Sequence, residues 1–125
     1  LEEILNTGFL WIVLAVFALL AAKVHLCRAR ADYVRECVAQ GALVLDVRSR
    51  LEYLEGHLPN AINVPLSELK DRIANVAPNK EQILLLYCAS GSRSEVAKRI
   101  LRSIGYRNAH NVGSYSRARA LLARY

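Results

Sequence analysis

The chain has no positive charge near its beginning and too few cysteines for a metal site or a disulfide scaffold. Residues 4–22 contain no Asp, Glu, Lys or Arg, and no Lys or Arg stands before Lys23. The three cysteines are Cys27, Cys37 and Cys88, with no Cys-x-x-Cys pair among them. That spacing offers no metal centre, and an odd count beside a basic flank argues against a disulfide framework. Of the three prolines, Pro59 and Pro78 each precede an asparagine and mark loops inside one domain. No repeat or low-complexity tract appears. Basic residues are not interleaved with aromatics, so the net charge of +6 suggests solubility or anionic lipid headgroups, and no nucleic acid is expected as a partner. Methionine is absent, and the chain opens on Leu1, which leaves the native N-terminus open.

The uncharged stretch spans roughly 28 Å as a helix, close to the ~30 Å hydrocarbon core of a bilayer. Trp11 suits an interface, and Lys23, His25 and Arg28 close the far end. A signal peptide wants positive charge before its apolar core, where Glu2 and Glu3 stand. A buried core helix is disfavoured because the stretch is apolar on all faces. The expected organisation is a transmembrane helix and flank over residues 1–27, then one domain over 28–125. All 17 basic residues follow the span, so the positive-inside rule places a single-pass protein with its domain in the cytoplasm. Cys27, just past the span, reads as an ordinary small residue rather than a lipidation site, and Cys37 reads as packed.

Beyond the span, helix and strand alternate. Residues 31–40 read as a helix stopped by Gly41. Strands are expected at 42–47, 61–64, 83–87 and 109–112. Helices are expected at 49–54, at 67–76 capped by Ser67, from Ser94 to Gly105, and at 116–124. Val96, Ala97, Ile100, Leu101 and Ile104 form one apolar face, and Ala118, Leu121 and Leu122 another. This order describes a small α/β domain with helices on both sheet faces.

Cys88 ends the strand 83–87 and opens the loop Ala89, Ser90, Gly91, Ser92, Arg93, Ser94. Sites in open α/β sheets gather beyond the carboxyl ends of strands. A thiol there sits against helix N-terminal amides, which lower its pKa. Gly91 permits a tight turn of inward N–H groups, and Arg93 adds a fixed positive charge. The same amides suit a thiolate or a persulfide anion, although a structural cysteine also fits this position.

Two further segments narrow the choice. Leu43-Val44-Leu45-Asp46-Val47-Arg48 ends the earlier strand, and Gly56-His57-Leu58-Pro59-Asn60-Ala61-Ile62-Asn63-Val64-Pro65 follows. With the Cys-x-x-Gly-x-Arg-Ser loop, they resemble the rhodanese family of sulfurtransferases over roughly residues 29–124. The resemblance implies a central parallel sheet of five strands flanked by helices. It implies that Cys88 is the nucleophile that becomes persulfidated, that residues 89–94 cradle the sulfur, and that Arg93 attracts an anionic donor. Asp46, Arg48, Glu52 and His57 match family positions and read as supporting residues. The implied activity moves sulfane sulfur from thiosulfate or a similar anion to cyanide or a thiol, without metal or organic cofactor. A membrane-tethered relay to a protein acceptor, with little small-molecule turnover, is the alternative.

Asn60 stands where the family usually has Gly, and Gly113-Ser114 where it has a Gly-Gly pair. Both bear on substrate preference. Phosphatases and arsenate reductases of the related fold place five residues between Cys and Arg. Here Ala89 to Ser92 are the only ones between Cys88 and Arg93. The shorter ring of amides fits a sulfur atom better than a tetrahedral oxyanion. A redox sensor would want a resolving cysteine, and Cys37 and Cys27 are distant in sequence.

Overall fold

The computed structural model describes residues 2–122, without the side chains of Glu2, Leu5 and residues 27–29. Cys27, Arg28 and Arg124 therefore lie outside the described side chains. Two compact units are present, Leu1–Tyr33 and Val34–Tyr125.

In the first unit, the described residues belong to α1 (Glu2–Ala39). Its described apolar side chains between Ile4 and Leu26 are exposed, Trp11 and Phe17 among them. The helix is long and apolar enough to cross a bilayer or to act as a signal sequence.

The second unit is an α/β layer structure. Its strands are β1 (Leu43–Asp46), β2 (Ile62–Asn63), β3 (Leu84–Cys88) and β4 (Ala109–Ser114). All pairings are parallel, in the order β2-β1-β3-β4. The remaining helices are α2 (Arg50–Glu55), α3 (Leu69–Val76) after a 3-10 turn at Leu66–Glu68, α4 (Ser92–Ser103) and α5 (Tyr115–Leu122).

Among the described residues the sheet has four strands, not the five implied by family resemblance. Ahead of β1 the chain is helical, with Val34 and Cys37 buried one turn apart until Gly41 at φ +85° releases it. Ser67 does not cap a helix. It lies inside the 3-10 turn, whose start after Pro65 is fixed by Leu66 N–H bonding the Val47 carbonyl. Val96 is exposed rather than inward, because the buried stripe of α4 runs through Ala97 and Leu101.

β3 is buried along its whole length. Its alternation divides the core. Leu84, Leu86 and Cys88 pack with Leu69, Ile73, Ala97 and Leu101 on the α3/α4 face. Leu85 and Tyr87 pack with Val34, Cys37, Ala118 and Leu122 on the other. The chain leaves β1 toward one sheet edge and β3 toward the opposite edge. The carboxyl ends of β1 and β3 therefore flank the switch point where open sheets form their crevice. Asp46 pairs with Tyr87 across that point, so the Asp46–Arg48 and Cys88 segments meet there.

Candidate active site

Cys88 is fully buried, yet its sulfur is not in an apolar setting. Sγ accepts hydrogen bonds from Gly91 N–H at 3.0 Å, Ser94 N–H at 3.5 Å and the Ser94 hydroxyl at 3.4 Å. α4 has no side-chain oxygen at its N-cap, Gly91. The Cys88 sulfur takes that place, satisfying first-turn amides that otherwise lack a partner. Burial raises the thiol pKa, but the Ser94 hydroxyl and the amides of Ser94, Gly91 and Ser90 outweigh it and hold the group below its ordinary value.

The loop shape is fixed at Gly91. Its φ of +95° is left-handed, and a Cβ there would meet the Gly113 backbone at 3.3 Å. The approach is set by a bulge in the β3–β4 ladder, where Leu86 faces Asn111 but Tyr87 faces Gly113. Asn111 then ties the loop down. Its Oδ1 accepts from the Ser94 hydroxyl at 2.7 Å and from Gly113 N–H at 2.9 Å. Its Nδ2 donates to the Gly91 carbonyl at 3.1 Å and to Glu95 at 3.0 Å. Ser94 has a single hydroxyl proton, shared among Cys88 Sγ, the Gly91 carbonyl and Asn111.

Arg93 turns toward α2 and grips Glu52 in a two-pronged pair at 2.7 and 2.9 Å. Glu52 is also the third residue of α2, where it completes a capping box with Ser49. The Arg93 guanidinium, with smaller help from Ser49, holds the Glu52 carboxyl at about 2. One carboxylate thus joins the end of β1 to the cysteine loop.

Asp46 and Arg48 form a buried pair behind this layer, with contacts of 2.7–3.1 Å. Asp46 also accepts Arg48 N–H at 2.9 Å. Arg48 reaches the Gly56 carbonyl at 2.7 Å and lies 4.6 Å from the Tyr115 ring centre. His57 stands apart from the sulfur. It is exposed, stacks on Tyr53 at 3.7 Å, and places Nδ1 2.9 Å from the Tyr53 carbonyl. The structure therefore brings Cys88, Gly91 and Ser94 together, joins Arg93 to Glu52, and sets Asp46, Arg48 and His57 in the surrounding frame. Ala89, Ser90 and Ser92 are exposed at the rim, where the Ser90 and Ser92 hydroxyls lie 3.0 Å apart.

Residues 30–118 match the rhodanese-like domain family. The chain belongs to that family. It is 42% identical over 69 residues to the thiosulfate sulfurtransferase PspE of Escherichia coli, covering 55% of this chain and 66% of that protein. It is 33% identical over 96 residues to the human thiosulfate:glutathione sulfurtransferase, covering 66% of this chain and 84% of that protein. Among solved structures, a rhodanese with anions from E. coli superposes with a TM-score of 0.60 at 38% identity, covering 62% of this chain and 91% of that one. Other curated relatives are much longer, and the chain spans 16–36% of them.

The rhodanese-like domain contains one site residue that sequence reading missed. Asn111 sits mid-strand and carries no motif, and only the bulge beside it shows what it holds. Cys37 packs on the sheet face opposite Cys88, so a bond between them would have to cross the sheet.

The hydrogen bonds to Sγ predict a pH profile. Alkylation of Cys88 by iodoacetamide should rise with pH and level off below the ~8.5 of a free thiol. Ser94→Ala should move the midpoint upward, because a donor to the anion is lost. The sign also fixes the stability linkage. A depressed folded pKa adds stability above the unfolded thiol's pKa, and that gain is lost as pH falls through the folded value. A wild-type midpoint at or above the free-thiol value would contradict this account of the loop.

Proposed function

We propose that the chain is a sulfurtransferase that carries sulfane sulfur on Cys88. The observation that supports this most directly is the Cys88 sulfur at the switch point, accepting Gly91 and Ser94 donors within 3.5 Å. In the first step the thiolate attacks the outer sulfur of thiosulfate. A new S–S bond forms, the bond to the sulfonate sulfur breaks, and its electron pair leaves with sulfite. Two negative charges enter with thiosulfate and two leave with sulfite, so the enzyme persulfide keeps one. In the second step a thiolate or cyanide attacks the outer persulfide sulfur. Cys88 leaves as thiolate, and the product is a small persulfide or thiocyanate. The loop amides serve both anions of the cycle. Asp46, Arg48, Glu52 and His57 hold the loops rather than move protons. Relatives named as thiosulfate and thiosulfate:glutathione sulfurtransferases support the donor class and a thiol acceptor. The test is intact mass after incubation with a panel of sulfane donors, where a gain of one sulfur is expected.

A membrane-tethered relay is the second reading, and the exposed apolar run of α1 is what favours it. On this reading the helix crosses the bilayer, and the basic residues that follow it keep the domain in the cytoplasm. Alkaline carbonate washing of native membranes should leave the protein in the pellet, and detergent should release it. Recovery in the wash would remove the anchor.

A further inference from the structure

Two hollows share one wall residue, Pro65. The first, the loop cleft, takes Arg93 from the Cys88 loop and is otherwise lined by Val47, Ser49, Pro65, Leu66 and Ser67. The second is a concavity walled by Arg50, Tyr53, Asn63, Glu68 and Arg72. Pro65 belongs to both, and the adjacent residues Ser49 and Arg50 line one each.

The polar groups of this second hollow are engaged, with one exception. The Tyr53 hydroxyl donates to the Ala61 carbonyl at 2.8 Å. The Asn63 amide donates to the Asp46 and Arg48 carbonyls at 3.0 Å each. Arg72 pairs with Glu68 at 2.8 Å. The Arg50 side chain makes no hydrogen bond or ion pair to any described residue. It is a planar, permanently charged donor fork in a concave wall that carries two arginines and one carboxylate.

We propose that Arg50, with Arg72 beside it, recognises a carboxylate on the sulfur acceptor, and so selects thiols whose negative charge is remote from their sulfur. The proposal rests on the sulfur-transfer reading above. The geometry separates the two substrates. A donor such as thiosulfate has its charge one bond from the reacting sulfur, within reach of Arg93 at the loop. A guanidinium beyond Pro65 is misplaced for that anion. It suits an acceptor with a short peptide-like body, whose thiol enters the loop cleft while its carboxylate lies across Pro65. Tyr53, Leu54 and Pro65 supply apolar wall for that body.

The test compares three thiols on the persulfidated protein: glutathione, glutathione monoethyl ester and 2-mercaptoethanol. The glutathione to 2-mercaptoethanol rate ratio should fall about three- to fivefold in Arg50→Ala, the range of an exposed ion pair. It should fall further in Arg50→Glu. The ester should be less sensitive than glutathione to both substitutions, and high salt should shrink the wild-type preference. Unchanged ratios in both variants would overturn the proposal. S-methylglutathione, which cannot react, provides an independent readout by calorimetry, and its binding should weaken in the same order. If no persulfide forms with any donor, the sulfur-transfer reading fails, and the calorimetric arm still decides whether the hollow takes a carboxylate.

Discussion

Cys88→Ser is expected to take up no sulfur from thiosulfate and to show no sulfur transfer above background, while the wild-type chain gains one sulfur per molecule. A serine hydroxyl stays protonated at any working pH and cannot form the S–S bond that stores the sulfur. The variant should still fold. Its oxygen remains an acceptor for the Gly91 and Ser94 amides that now bond Sγ, so α4 keeps its cap. Matched circular dichroism and thermal midpoints would show that the loss is chemical. Two results would defeat the assignment. One is sulfur uptake that persists in Cys88→Ser, which would move the carrier to Cys27 or Cys37. The other is a wild-type mass that no donor changes.

Asp46→Ala should cost about 3–5 kcal/mol of stability, read as a drop in the urea midpoint. The carboxylate is completely buried and takes both the side chain and the backbone N–H of Arg48. Its removal leaves a buried guanidinium with the Gly56 carbonyl as its remaining close acceptor. Against the 5–15 kcal/mol that holds a typical domain together, this is a large share. Asp46→Ala combined with Arg48→Met should recover much of the loss, since the stranded charge is gone. A single-variant cost below about 1 kcal/mol would mean that water reaches Arg48 and that the pair is not structural.

The four strands were legible in the sequence because each is a short apolar run between turn residues. The fifth came from family resemblance alone, and the residues ahead of β1 have the three-residue spacing of Val34 and Cys37 that belongs to a helix. Leu84 to Cys88 gave no clue to facing, because every residue in it suits a core. Only the packing in the folded domain shows that Cys88 looks toward α4. The loop chemistry was readable for the opposite reason. Gly91, Arg93 and Ser94 are residue types with few substitutes at a strand-to-helix turn. Asn111 was invisible because its work depends on a one-residue slip in strand pairing, and local composition does not encode such a slip. Ser67 misled because it has the chemistry of a cap, while the chain around it is already committed by Pro65 and the Val47 carbonyl.

On the proposed sulfur transfer, the burial of Cys88 makes the two halves of the exchange unequal in reach. In its resting form the reactive atom lies beneath the protein surface, so a donor must offer sulfur at a slender tip and shed water to deliver it. Once loaded, the reactive atom is the outer sulfur, about 2 Å farther along a new S–S bond. The acceptor therefore meets a target that has come out to it. A broad molecule excluded from the first step can take part in the second, and one buried atom separates what may load this protein from what may unload it.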